Sequence, residues 1–152
     1  MDFKDVQLKD ILELMDQLEH SSQPNWGSMS AQRMVEHLTD TLDLSMGNIK
    51  DIHQEISPEK VERAKGFLLS EHPMPKNFEA SFAPSDARTR NESLELALDE
   101  FALKWIEFEY FFNENPQTKT LHPNFGKLDK ILWQKLNAKH IKHHFEQFEL
   151  VQ

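Results

Sequence analysis

Between Leu94 and Phe112 the large apolar residues Leu94, Leu98, Phe101, Trp105, Phe108 and Phe112 recur at spacings of 4, 3, 4, 3 and 4. That rhythm places them on one stripe of an α-helix and suits no β-strand, whose faces alternate every second residue. It is the seam by which a helix packs into a bundle, and it predicts a helix from about Asn91 to Phe112. With only 4 Gly in 152 residues, the chain is poor in the residue on which tight β-turns depend. Eleven Phe, three Trp and a 38% hydrophobic content suffice for a core, so one domain over residues 1–152 is expected.

Three further helices follow from the same periodicity. From Asp5 to Leu18, the residues Leu8, Ile11, Leu12, Met15 and Leu18 form an amphipathic stripe. The polar run His20 to Gly27 then breaks it. Ser30 is placed to cap a second helix that carries Met34, Leu38, Thr41 and Leu42 inward and ends near Gly47. The last helix is expected from about Lys127 to Leu150, after a loop with Pro116 and Leu121-His-Pro-Asn-Phe-Gly126. Between the second and third helices, Ser57-Pro58 reads as an N-cap with Pro in the first turn, opening a short helix to about Ser70. Glu71 to Arg90 reads as irregular. The expected fold is all-α, a four-helix bundle with a long crossover link that contains a short helix.

Composition excludes several functions. The chain has no Cys, which removes disulfides, thiolate metal sites and a cysteine nucleophile, so any metal must be held by His, Asp, Glu or water. A formal charge of −9 without a Lys/Arg cluster argues against nucleic acid. No stretch approaches the roughly 18 apolar residues of a membrane span, and the charged N-terminal run does not read as a signal peptide, so a cytoplasmic location is expected.

The remaining feature is eight His, three of them crowded at His140, His143 and His144. On a helical wheel His144 lies about 40° from His140, and Trp133, Leu136, Gln147 and Val151 share that side within about 40°. Both imidazoles therefore face the interior. His143, about 60° away on the other flank, is placed at the rim. Two His at i and i+4 can present ring nitrogens to one divalent ion. The same spacing also serves core histidines bonded to each other, to Gln147 or to water. His37, at the edge of the stripe of the second helix, supplies a third imidazole. No His has Glu three residues before it, as di-iron bundles require, and His-Glu-x-x-His is absent. A mononuclear site of His37, His140 and His144 is the expectation, with positions left open for water or substrate.

The run Trp26-Gly-Ser-Met-Ser-Ala-Gln-Arg-Met-Val-Glu-His-Leu38, with His122-Pro-Asn-Phe-Gly126 and His140-Ile-Lys-His-His-Phe-Glu-Gln-Phe148, resembles the DinB/YfiT-like metalloenzymes. Within them it resembles a bacterial domain family of unknown function. The resemblance implies a four-helix bundle whose metal is held by one His of the second helix and two of the last, matching His37, His140 and His144. It implies nickel or zinc, and some similar proteins are thiol-dependent transferases or isomerases. The chain shows no basic cluster in sequence that would receive such a thiol.

Other residues carry weaker signals. Trp133, Gln147, His143 and His122 are candidate pocket or supporting groups, although a loop position such as His122 also suits a solvated His. Glu36 and Asp40 are candidate acceptors for a ligating imidazole. Trp26-Gly27 and Phe125-Gly126 read as apolar plugs with turns that set the approach of the helices. His20, His53 and His72 have no assignable role. The expected function is a metal-dependent hydrolase or thiol/group transferase with a small-molecule substrate, as a monomer or homodimer. The alternative is a non-catalytic metal-binding or dimeric bundle with core histidines.

Overall fold

The computed structural model describes residues 3, 5–76, 82–83 and 86–152 of the chain. Five α-helices dominate: α1 (Leu8–Met15), α2 (Ala31–Ser45), α3 (Val61–Leu69), α4 (Leu94–Glu114) and α5 (Lys130–Gln147). A 3-10 turn, Pro58–Lys60, leads into α3. The strands β1 (Thr120–His122) and β2 (Gly126–Leu128) form an antiparallel pair between α4 and α5. The fold is therefore mostly helical, roughly as the all-α expectation has it, with the addition of a small two-stranded sheet.

Caps set the helix boundaries. Ser30 accepts from the Arg33 N–H at 3.1 Å, Ser93 from Leu96 at 3.2 Å and Asp129 from Leu132 at 3.0 Å. Each removes one orphan donor of a first turn. Asp129 is why α5 begins at Lys130 and not at Lys127. At α1, Gln7 gives no side-chain cap, and Asp16 and Glu19 oppose the negative end of the helix dipole, so the helix stops at Met15 instead of Leu18. The expected irregular stretch 71–90 contains no helix or strand among its described residues, and 77–81, 84 and 85 lie outside them.

Three-residue strands are too short to show alternation, so the sequence presents this hairpin as a loop. The sequence carries its turn chemistry: Pro123 and Asn124 form the bend, closed by the Phe125 N–H to the His122 carbonyl, and Gly126, paired with His122 at the start of β2, adopts the left-handed φ of +79°. A Cβ at Gly126 would also stand 3.0 Å from Val61 Cγ1, so the hairpin packs closely on the start of α3. The Pro123 carbonyl accepts from the Glu55 and Ile56 amides at 2.8 and 3.1 Å. Thr120 Oγ1 donates to the Ser45 carbonyl at 2.7 Å. The hairpin is thus the brace between the end of α2 and the approach to α3.

α2 packs along α4 and α5, α3 covers α5, and α1 rests on α4. The seam of α4 is core, with Phe101 and Phe112 fully buried and Trp105 and Phe108 nearly so. Phe145 and Trp133 of α5 are fully buried too. Each such side chain contributes roughly 1.5–3 kcal/mol relative to exposure. Lys139 of α5 donates to the Ser70 carbonyl at 2.9 Å and to that of His72, and lies over the Phe67 ring. It clamps the end of α3 to α5. No helix among the described residues is long and apolar enough to cross a membrane.

Candidate metal centre

α2 and α5 bring His37, His140 and His144 together. The Nε2 atom of His140 lies 2.9 Å from that of His37 and 3.0 Å from that of His144. All three candidate ligand atoms fall within 4.8 Å of one another. His37, placed by sequence at the edge of its stripe, is only 6% exposed, because α5 covers that edge.

Gln147 sets the proton position on one ring. Its Nε2 donates to the Trp26 carbonyl at 2.8 Å, which turns Oε1 to His144 Nδ1 at 2.7 Å. An amide oxygen only accepts, so Nδ1 carries the proton and Nε2 of the neutral ring is left with a bare lone pair. That lone pair is aimed at the other two imidazoles. Such an acceptor behind a ligating His fixes both tautomer and ring orientation. The Nδ1 atoms of His37 and His140 are buried without a well-formed hydrogen bond.

Burial dominates the electrostatics. It pushes His37 down to about 4, with Arg33 adding to the shift and the Ala83 backbone opposing it. Burial, then the neighbouring imidazoles, hold His140 well below the ordinary value of 6.5. His144 is lowered likewise, by burial first, with Gln147 opposing. Neutral rings are what a metal requires of histidine. A single N–H from His140 satisfies one of its two neighbours, whereas a divalent cation accepts all three lone pairs. Zn–N bonds of 2.0–2.1 Å in tetrahedral geometry set nitrogens about 3.3 Å apart, close to the 2.9 and 3.0 Å of the two pairs that His140 makes.

The trio lines an open cavity of about 800 Å³. His122, His143 and Gln147 line it as well, whereas Trp133 does not; its ring instead backs His122 at 5.7 Å. His122 is not solvated: it is 4% exposed, set by β1 between Phe82, Phe125 and Trp133. Its Nδ1 accepts from the Asn124 N–H at 3.0 Å, so the proton sits on Nε2. Burial lowers it to about 3, which makes it a neutral donor and not an acid–base group near pH 7. His143 is half-buried at the rim as expected, 5.6 Å from the Trp26 ring. His20, His53 and His72 are exposed.

Glu36 and Asp40 support no imidazole. Glu36, fully buried, accepts from Gln32, the Arg90 and Asn91 amides and the Asn91 side chain. Burial alone would raise its carboxyl, but these bonds hold it below the ordinary range. Asp40 pairs with Arg33 and Arg90, both at 2.9 Å. Their positions beside His37 in sequence suggested contact, but successive residues of a helix point about 100° apart.

Gly27 has a sharper role than a turn. It adopts φ +75°, and a Cβ there would meet Gln147 Nε2 at 3.3 Å. Gly27→Ala is therefore expected to displace the amide that orients His144, weakening divalent-metal affinity about 10-fold or more, within the range for supporting groups. Titration calorimetry with zinc measures this; unchanged affinity would remove Gln147 from the supporting role.

The depressed histidines also fix a pH response. In the unfolded chain they regain the ordinary value of 6.5, so between pH 6.5 and about 4 that state binds protons which the folded state does not. Stability is full above pH 6.5 and is lost on acidification. His37 and His122 together give a slope of about 3 kcal/mol per pH unit between pH 6 and 4. Urea denaturation in EDTA reads it, and a flat profile from pH 7 to 4.5 would contradict the buried neutral state.

No protein-family model, curated protein or solved structure matches this chain.

Proposed function

We propose that the chain is a DinB-like metalloprotein in which His37, His140 and His144 hold one divalent ion, nickel or zinc, at the wall of a substrate cavity. The observation that carries this reading is the convergence of three neutral imidazoles on one point, one of them with its lone pair fixed by Gln147 and Trp26. In the same reading α1, α2, α4 and α5 are the four helices of the bundle, and the long crossover between α2 and α4 supplies α3 as the cavity's outer wall.

A bound ion held by three imidazoles would act as a Lewis acid on a small-molecule substrate, which suits a hydrolase or a thiol or other group transferase. The chain's own residues do the rest. Gln147 keeps His144 in one tautomer. His122, neutral and with its proton on Nε2, offers the cavity a hydrogen-bond donor. Absence of carboxylate ligands leaves the ion's charge uncompensated.

The test is elemental analysis of untagged protein after exposure to zinc or nickel and removal of the excess. One ion per chain is expected. Less than about 0.2 equivalents rejects the metal reading in favour of core histidines, since structural and catalytic zinc sites hold their ion stoichiometrically.

A further inference from the structure

The cavity beside the three histidines has a charge pattern opposite to that of the chain. Acidic residues outnumber basic ones 26 to 17. Yet Lys60, Arg63 and Lys76 line the cavity and, among the described residues, no Asp or Glu does. Lys76 lies over the Trp26 ring at 4.4 Å.

The arrangement on α3 is directional. Lys60, Arg63, Ala64 and Phe67 fall at i, i+3, i+4 and i+7, one face of the turn and helix, and all four line the cavity. Glu59 and Glu62, interleaved with the two cations in sequence, are exposed and lie off that face. The helix dipole disfavours cations in a first turn, so local stability does not account for Lys60 and Arg63 there. Behind them the walls are apolar, including Ile56, Phe67, Met74, Phe82, Phe125 and Leu136.

We infer that the cavity selects an organic anion: a molecule with an apolar body, received by the aromatic walls, and a carboxylate-type head held by Lys60, Arg63 and Lys76. Its standing as a substrate rests on the metal centre proposed above, whereas the preference for negative charge rests on the cavity lining. Lys60, Arg63 and Lys76 are exposed, so the charge stands at the solvent side of the cavity, where an anionic head is attracted and a cationic one of the same shape is repelled.

Titration calorimetry of the full chain in EDTA, with octanoate, octan-1-ol and octylammonium as probes, tests this without any metal contact. Octanoate is expected to bind about tenfold tighter than the alcohol, with the ammonium weakest, as one charge-assisted contact suffices for that ratio. Lys60→Gln with Arg63→Gln is expected to erase the carboxylate advantage. Lys50→Gln with Lys127→Gln, the same change in net charge away from the cavity, is expected to preserve it. Equal binding of the three probes, or an advantage that survives in the Lys60/Arg63 variant, overturns the inference. Metal uptake by the same preparation is measured separately, so loss of the charge preference leaves the metal centre standing, and loss of the metal leaves the anion preference standing.

Discussion

His140→Ala is expected to abolish divalent-metal binding, taking the chain from one ion to less than about 0.2 equivalents, because a closed three-ligand set becomes a pair. His140 is the informative position, since its Nε2 is the atom near both of the others. The change removes no hydrogen bond outside the trio, and its Nδ1 has none to lose. The variant should therefore fold. For the unsubstituted chain, an ion at 1,000 times its dissociation constant adds about 4 kcal/mol, or a rise in Tm of roughly 8–16 °C for a domain of this size. In His140→Ala that rise should vanish while Tm in EDTA stays within a few degrees. A full metal-induced rise in the variant would place the ion elsewhere.

Glu36→Ala is expected to have the largest effect on stability. The carboxylate is fully buried, accepts four hydrogen bonds, and stands 3.8 Å from Arg33, itself 4% exposed. Removing it leaves the Arg90 and Asn91 amides and part of the Arg33 charge unmatched inside the protein. Breaking a buried pair of this kind costs about 3–5 kcal/mol. Urea denaturation should show that loss, with Tm lower by about 10 °C. Metal affinity of the folded fraction should be unchanged, because Glu36 touches none of the three imidazoles. A variant that loses metal but keeps its stability would return Glu36 to the role of ligand support. The physical function of this carboxylate is to fasten the segment before α4 onto α2, which holds the two most closely packed helices in register.

The amino-acid sequence was sufficient for the helices because their information is local. The 4, 3, 4, 3, 4 spacing of α4 needs no partner to be seen, and Ser30 signals its cap wherever α2 packs. The i, i+4 pair of α5 likewise fixes His140 and His144 on one face. The hairpin is not legible in the same way although His122-Pro-Asn-Phe-Gly126 carries its turn, since strands of three residues have no periodicity to show. For the same reason the sequence leaves His122 open between a pocket group and a solvated loop residue.

What only the tertiary structure decided is long-range. Which edge of α2 faces α5 determines that His37 is buried against His140, whereas Glu36, one residue earlier, serves α4. The Gln147 amide is oriented by a carbonyl at Trp26, far away in the chain. Lys60, Arg63 and Lys76 form no cluster in sequence and come to line one cavity only when α3 packs over α5. The physical reason is the same in each case: a helix repeats every 3.6 residues and so declares its own faces, but which face meets which neighbour depends on loops, caps and buried charges that act across the whole chain.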